Sequence, residues 1–138
     1  MKTNQEILNS FGEMVTKDMY DFSVSMFNKI LRGYKMWENN IEPLKLSNGL
    51  NKEDLSILEN VQKKISADSM FNLLKIFEEQ QAERPGRFRL IYEEDGKQVD
   101  LVEISEMLKA EPIIENGWID RFSEYAKISR GNDKQVHN

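Results

Sequence analysis

Apolar positions along this chain fall mostly at helical spacing, with one block that alternates instead. Met70, Phe71, Leu73, Leu74, Ile76 and Phe77, placed at about 100° per residue, sweep an apolar arc of roughly 220°. A surface helix needs about half of that. The spacing therefore predicts a central helix over 66–80 that neighbours cover from several sides, with Ser66 or Asp68 capping its start. Just upstream, Leu55, Leu58, Val61 and Ile65 form the stripe of another helix. Asn51 caps it, and Glu53 and Asp54 stand in the first turn, where the helix dipole favours acids. A short turn or a bend is expected between the two.

At the other end of the chain, Thr3 or Asn4 can open a helix with Glu6 completing a capping box. Ile7, Phe11, Met14, Val15, Met19, Phe22, Met26, Ile30 and Leu31 then recur at threes and fours. The spacing slips near Lys17-Asp18, so a kink is expected there, and Gly33 ends the helix at about Arg32 or Tyr34. From Tyr34 to Leu50 helical periodicity is lost, and Pro43 and Asn48-Gly49 mark a connection. Trp37, within it, either packs on the core with Met36, Ile41, Leu44 and Leu46 or stands out as an anchor for a protein partner.

The alternating block follows Pro85-Gly86: Phe88, Leu90 and Tyr92 on one side, Arg87, Arg89 and Glu93 on the other. Asp95-Gly96 supplies the positive φ that a two-residue hairpin turn needs, which sets Tyr92 opposite Val99 and Leu90 opposite Leu101. Asp100 to Glu103 reads as a second capping box, opening a short helix to about Ala110. After a turn around Pro112, Asn116 caps a last helix in which Trp118, Ile119, Phe122 and Tyr125 share a face. The prediction is a mainly α single-domain helical bundle of about five helices, spanning 1–128, with one inserted β-hairpin at about 87–100. Residues 129–138 are expected to form a flexible tail.

Composition narrows the chemistry. The chain of 138 residues is 39% hydrophobic and 31% charged, a globular balance. No apolar run approaches the roughly 20 residues that span a bilayer, and the first residues carry no apolar signal core; a cytoplasmic protein without membrane contact is expected. With no cysteine, disulfides, thiolate nucleophiles and cysteine-based metal sites are excluded. The single histidine, His137, sits in the tail, so neither histidine base catalysis nor a histidine-held metal is expected. No phosphate-binding glycine loop, dinucleotide fingerprint, nucleophile elbow or zinc-binding helix motif occurs. Neither a cofactor nor a metal is expected, and no residue is assigned a catalytic role. Glu13, Asp18 and Asp21 could serve a carboxylate-dependent enzyme, with Asp18 and Asp21 on one helix face. The same spacing arises on any solvated charged helix.

Charge is unevenly placed. Residues 93–124 hold ten acids and three bases, net −7, while residues 1–92 balance to zero. An acidic total argues against direct nucleic-acid binding. Arg84, Arg87 and Arg89, interleaved with Phe88 and Tyr92, could still hold a single strand, or could protect the edge of the hairpin. The acids Glu93, Glu94, Asp95, Glu103, Glu106, Glu111 and Glu115 are either a solvated surface or, together with Trp37, a partner-binding surface matched to a basic protein.

Leu101-Val102-Glu103-Ile104-Ser105-Glu106-Met107-Leu108, followed by Gly117-Trp118-Ile119-Asp120-Arg121-Phe122-Ser123, resembles the ending of small bacterial helical proteins, some of them similar to the immunity proteins encoded beside polymorphic toxins. The resemblance covers about 25 residues and implies a binder that neutralises a toxin; it carries over no functional residue. The expected function is a non-enzymatic protein-binding inhibitor of immunity or antitoxin type, using its acidic C-terminal surface against a toxin with a basic active-site surface. The alternative is an adaptor or oligomerisation subunit of a bacterial or phage complex.

Overall fold

The computed structural model of the protein describes residues 2–31, 49–80 and 82–126. The end of the first helix at Gly33, the role of Trp37 and the tail with His137 lie outside the described residues.

Helix α1 (Asn4–Val15) opens with the expected capping box: Thr3 Oγ1 accepts from the Glu6 N–H at 3.2 Å, and the Thr3 N–H donates to Glu6 Oε2 at 2.9 Å. The helical path continues without a break into α2 (Phe22–Leu31), but Thr16–Asp21 is wound as a π-helix. That is where the apolar spacing slips. Leu8, Gly12, Thr16, Tyr20 and Val24 are all buried at intervals of four, a row that would drift by about 40° per step in a regular α-helix. The wider π turn rotates it back toward the core.

Helix α3 is a single helix, Lys52–Glu78, capped by Asn51 Oδ1, which accepts from the Asp54 N–H at 2.8 Å. The expected break at Ser66 does not occur. Ser66 is buried in mid-helix, where Gln62 Nε2 donates to its hydroxyl at 2.7 Å, and Asp68 pairs with Lys64 instead of capping. Nor do the described residues cover the apolar arc of 66–80 on several sides. Ser66, Met70 and Leu74 form one buried row, while Ile76 is 58% exposed. Among the described elements, α2, the π turn and a short downstream 3-10 turn lie most extensively against α3, and they cover one face.

Strands β1 (Ile91–Glu94) and β2 (Lys97–Asp100) form the hairpin, in the expected antiparallel register with Tyr92 facing Val99. Asp95 and Gly96 hold φ of 51° and 77°, the type I′ geometry that their residue types tolerate. Leu101 N–H donates to Leu90 O at 3.0 Å, so these two also face each other.

Helix α4 (Leu101–Ile104) is shorter than expected. Asp100 caps it, its carboxylate accepting from the Val102 N–H at 2.9 Å, but Ser105 is extended and a 3-10 turn follows at Leu108–Ala110. Lys109 accounts for the break. Its ammonium reaches Glu78 and Glu79 of α3, which draws the chain onto that helix and buries Leu108 completely. Helix α5 (Trp118–Phe122) is capped by Gly117 rather than Asn116. Asn116 instead takes the left-handed conformation, φ 58°, and its N–H donates to Asp120 Oδ2 at 2.9 Å.

Two apolar clusters share the helices. Ile7, Leu8, Leu74, Leu101, Leu108 and Trp118 make one; Val15, Tyr20, Val24 and Met70 make the other. Trp118 lies directly on α1: a Cβ on Gly12 would stand 2.5 Å from three atoms of its five-membered ring. Phe11 meets the same indole edge-on, with ring centroids 5.7 Å apart. Below α5, the Asp21 carboxylate accepts from Ser123 Oγ at 2.6 Å and from the Glu124 N–H at 3.1 Å.

Three stability outcomes follow from this packing. Leu74→Ala should cost about 2–5 kcal/mol in urea unfolding, because the site is enclosed. Gly12→Ala gains about 1 kcal/mol of helix propensity but crowds a fully packed indole, which costs about 1–3 kcal/mol, so the variant should unfold earlier; a later midpoint would show that Trp118 can yield. Burial pushes the Tyr20 phenol up to about 12. A raised folded value means that its contribution is complete below the unfolded value near 10 and is lost as pH rises toward about 12. Alkaline unfolding followed by phenolate absorbance should therefore shift upward in Tyr20→Phe, and an unchanged midpoint would contradict this.

Candidate protein-binding surfaces

The acidic residues of the C-terminal third divide among the hairpin tip, α4 and the turns that follow it. At the tip, Glu93 and Asp95 are exposed, while Glu94 is half-buried. Tyr92 Oη donates to Glu94 at 2.7 Å and the Lys2 backbone N–H at 3.4 Å. The tyrosine's hydrogen bond holds the Glu94 carboxyl below its usual range and, reciprocally, raises the phenol. Lys2 also places its ammonium 5.7 Å from the centre of the Tyr92 ring, which fixes the hairpin to the start of α1.

Glu103 is exposed, 3.7 Å from Arg89, which also reaches Asp100 at 3.4 Å. Glu111 is half-buried and accepts from Ser105 Oγ at 3.1 Å. Glu106 and Glu115 are exposed and, like Glu93 and Asp95, have no cationic partner among the described residues. The structure thus does not gather all seven acids into one cluster. Four remain open to solvent without a counter-charge, and the other three are engaged within the chain.

A second surface was not legible as such in the sequence. Ile57, Val61 and Ile65 stand one above another on successive turns of α3, roughly opposite the buried row of Met70 and Leu74, and Ile65 is 60% exposed. The helical spacing sets Val61 and Ile65 in one stripe with Leu55 and Leu58; with α3 continuous, the side carrying Val61 and Ile65 is left uncovered by the described elements. Further along, Ile76 and the 75% exposed Phe88 border a hollow of about 550 Å³ closed by Gln80, Arg84 and Arg87. An exposed apolar series of this kind is the sort of surface on which contacts form.

The arginine cluster is split: Arg84 and Arg87 share the hollow beside Phe88, and Arg89 leaves it. Arg89 is turned to Asp100 and Glu103, Tyr92 packs with Lys2, and Phe88 is the aromatic left open beside Arg87. The carboxylates of the first helix are likewise separated: Glu13 pairs with Lys17 at 2.7 Å, Asp21 holds Ser123, and Asp18 is exposed. Among the described residues, no group of three or more histidine, cysteine or acidic side chains is placed to hold a metal ion. No helix among them is long and apolar enough to cross a membrane. Comparison with known proteins returns no match, either to a family model, to a curated protein or to a solved structure.

The Tyr92–Glu94 bond generates a pH prediction. A depressed carboxyl contributes stability above the unfolded value, about 4.3, and that contribution is lost as pH falls through the lower folded value. Tyr92→Phe keeps the ring and removes the donor, so the Glu94 carboxyl carbon should titrate at higher pH in NMR. An unmoved titration would mean that Lys2 and not Tyr92 sets it.

Proposed function

We propose that the protein is a non-enzymatic, cytoplasmic protein-binding inhibitor of the immunity or antitoxin type. Its acidic C-terminal third would be directed at a toxin with a basic active-site surface. The observation that supports this reading is the set of acids without a counter-charge among the described residues, Glu93, Asp95, Glu106 and Glu115, on a region whose net charge is −7. Exposed charge of one sign speeds encounter with an oppositely charged partner and rejects partners of like charge. The resemblance of the segments around Leu101–Leu108 and Gly117–Ser123 to immunity proteins supports the same reading. In the fold those segments supply Leu101, Leu108 and Trp118 to the core, so their part in binding is to hold the acidic turns in place.

A second reading, an adaptor or oligomerisation subunit, is favoured by the uncovered apolar row Ile57, Val61 and Ile65. The two predict different salt behaviour. Electrostatic steering is screened over about 8 Å at physiological ionic strength, whereas apolar contact is not weakened by salt.

The test is a pull-down from the native host with the tagged protein, followed by association kinetics on the recovered partner. Inhibition of a basic toxin predicts an on-rate that falls about tenfold or more between low and high salt. The double reversal Glu106→Lys/Glu115→Lys should slow association several-fold with an unchanged unfolding midpoint. A partner bound at the same rate at all salt concentrations, and unaffected by the reversal, would transfer the case to the adaptor reading.

A further inference from the structure

The first strand of the hairpin uses only one side of its backbone. Leu90 bonds Leu101, Tyr92 faces Val99 and Glu94 faces Lys97 across the two-residue turn. Exchanged bonds fall on alternate facing pairs in an antiparallel ladder, so the N–H and C=O groups of Leu90, Tyr92 and Glu94 point toward β2. Gln80 continues this series one step earlier. Its side-chain amide accepts from the Phe88 N–H at 2.7 Å and donates to Phe88 O at 2.6 Å, standing in for a residue of a longer β2. The backbone groups of Arg89, Ile91 and Glu93 therefore point away from β2, and none of the described residues bonds them.

The side chains alternate in the same rhythm. Arg87, Arg89, Ile91 and Glu93 are exposed, whereas Glu94 is half-buried and Leu90 and Tyr92 are half-buried against the body of the protein; Phe88, before the strand, is exposed as well. Read outward from Ile91, the stretch Arg87-Phe88-Arg89-Leu90-Ile91-Tyr92-Glu93-Glu94-Asp95 is basic in one direction and acidic in the other. It is its own electrostatic complement when reversed.

We propose that β1 pairs antiparallel with β1 of a second copy of this chain, about a twofold axis at Ile91, joining the two hairpins into one four-stranded sheet. In this register Ile91 faces Ile91 of the second copy, and Arg89 faces Glu93 of the second copy, reciprocally. Arg87 lies level with Asp95 of the second copy. These facing pairs are the ones whose backbone groups point outward, so the register satisfies the hydrogen bonds and sets Glu93 against Arg89, which also reaches Asp100 and Glu103 of its own chain. A slip of one residue brings inward-pointing groups to the edge. A slip of two keeps the bonds but sets Ile91 against Arg89 or Glu93. Charged side chains blunt a strand edge when like meets like; the twofold operation here makes unlike charges meet. The isologous contact also closes on itself, which ends association at the dimer.

An edge contact of this length is small beside the roughly 1,600 Å² of a standard interface, so the dimer forms at high protein concentration. Sedimentation equilibrium on the full chain, from about 10 μM to about 1 mM, should show the average mass rising from 16.2 kDa toward twice that value. Arg89→Glu and Glu93→Arg, each alone, should weaken association about tenfold or more. An equimolar mixture of the two should restore it, since every altered position then faces the opposite charge. Ile91→Pro deletes an outward N–H and leaves the β2 side intact; it should stay monomeric with its thermal transition retained. That variant and Glu93→Arg decide the matter if Arg89→Glu does not fold. A wild-type mass of 16.2 kDa at about 1 mM overturns the proposal and leaves the edge to a strand of another protein. Charge variants that associate as well as wild type, or a mixture no tighter than its components, overturn it as well.

Discussion

Where the indole of Trp118 lies on the backbone of Gly12, α5 meets α1 at a distance that no side chain would permit. A glycine inside a helix costs about 1 kcal/mol relative to alanine, and burying the indole leaves its N–H without a partner among the described residues. Both costs are offset by what the contact gathers. Phe11 meets the ring edge-on, and Ile7, Leu8, Leu74, Leu101 and Leu108 enclose it. Helices α1 and α3 thereby share one cluster with α4, the 3-10 turn and α5, and the short α4 and α5, too brief to be stable alone, take their positions from it.

That arrangement decides what is left outside. The hairpin docks through Leu90, Tyr92 and Val99 against the Trp118 cluster, which turns one face and one edge of β1 inward and the opposite face and edge to solvent. The turns after α4 are tied down by Lys109 on α3 and by Ser105 on Glu111, so Glu106 and Glu115 project from a braced segment. On α3 a single buried row meets the core, and the opposite row of Ile57, Val61 and Ile65 stays free of the described elements. Three exposed features, an acidic surface, an apolar helix row and an open strand edge, follow from one packing solution. Each suits contact with a protein chain.

Local chemistry made much of this legible in the sequence. The Thr3–Glu6 capping box, the Asn51 cap, the Asp95-Gly96 turn with its register, and the burial of Leu74 all depend on residues close in sequence or on a simple period. The slip near Lys17-Asp18 marked the π turn, though spacing alone could not say whether the helix kinks or widens. Tertiary balance hid the rest. Ser66 has good capping chemistry, yet burial beside Gln62 keeps it helical. A 220° apolar arc says how much could be covered but not how many neighbours exist to cover it. Lys109 ended α4 through contacts about thirty residues away. Gly12 carries no signal of its own in the sequence, since its use depends on Trp118, more than a hundred residues away. The pairing of Glu94, Glu103 and Glu111 was equally hidden, because a count of charges does not show which ones find partners.

The central claim is that β1 has two unlike backbone sides, one satisfied within the chain and one offered to another strand. Residue-resolved amide exchange across 89–94, followed as a function of protein concentration, tests it most directly, because each amide reports its own hydrogen bond. Tyr92 and Glu94 should exchange slowly at every concentration. Arg89, Ile91 and Glu93 should exchange fast in dilute protein and slow down together as concentration rises. Equal protection of both sets in dilute solution, or an outward set that stays fast in concentrated protein, would contradict the account.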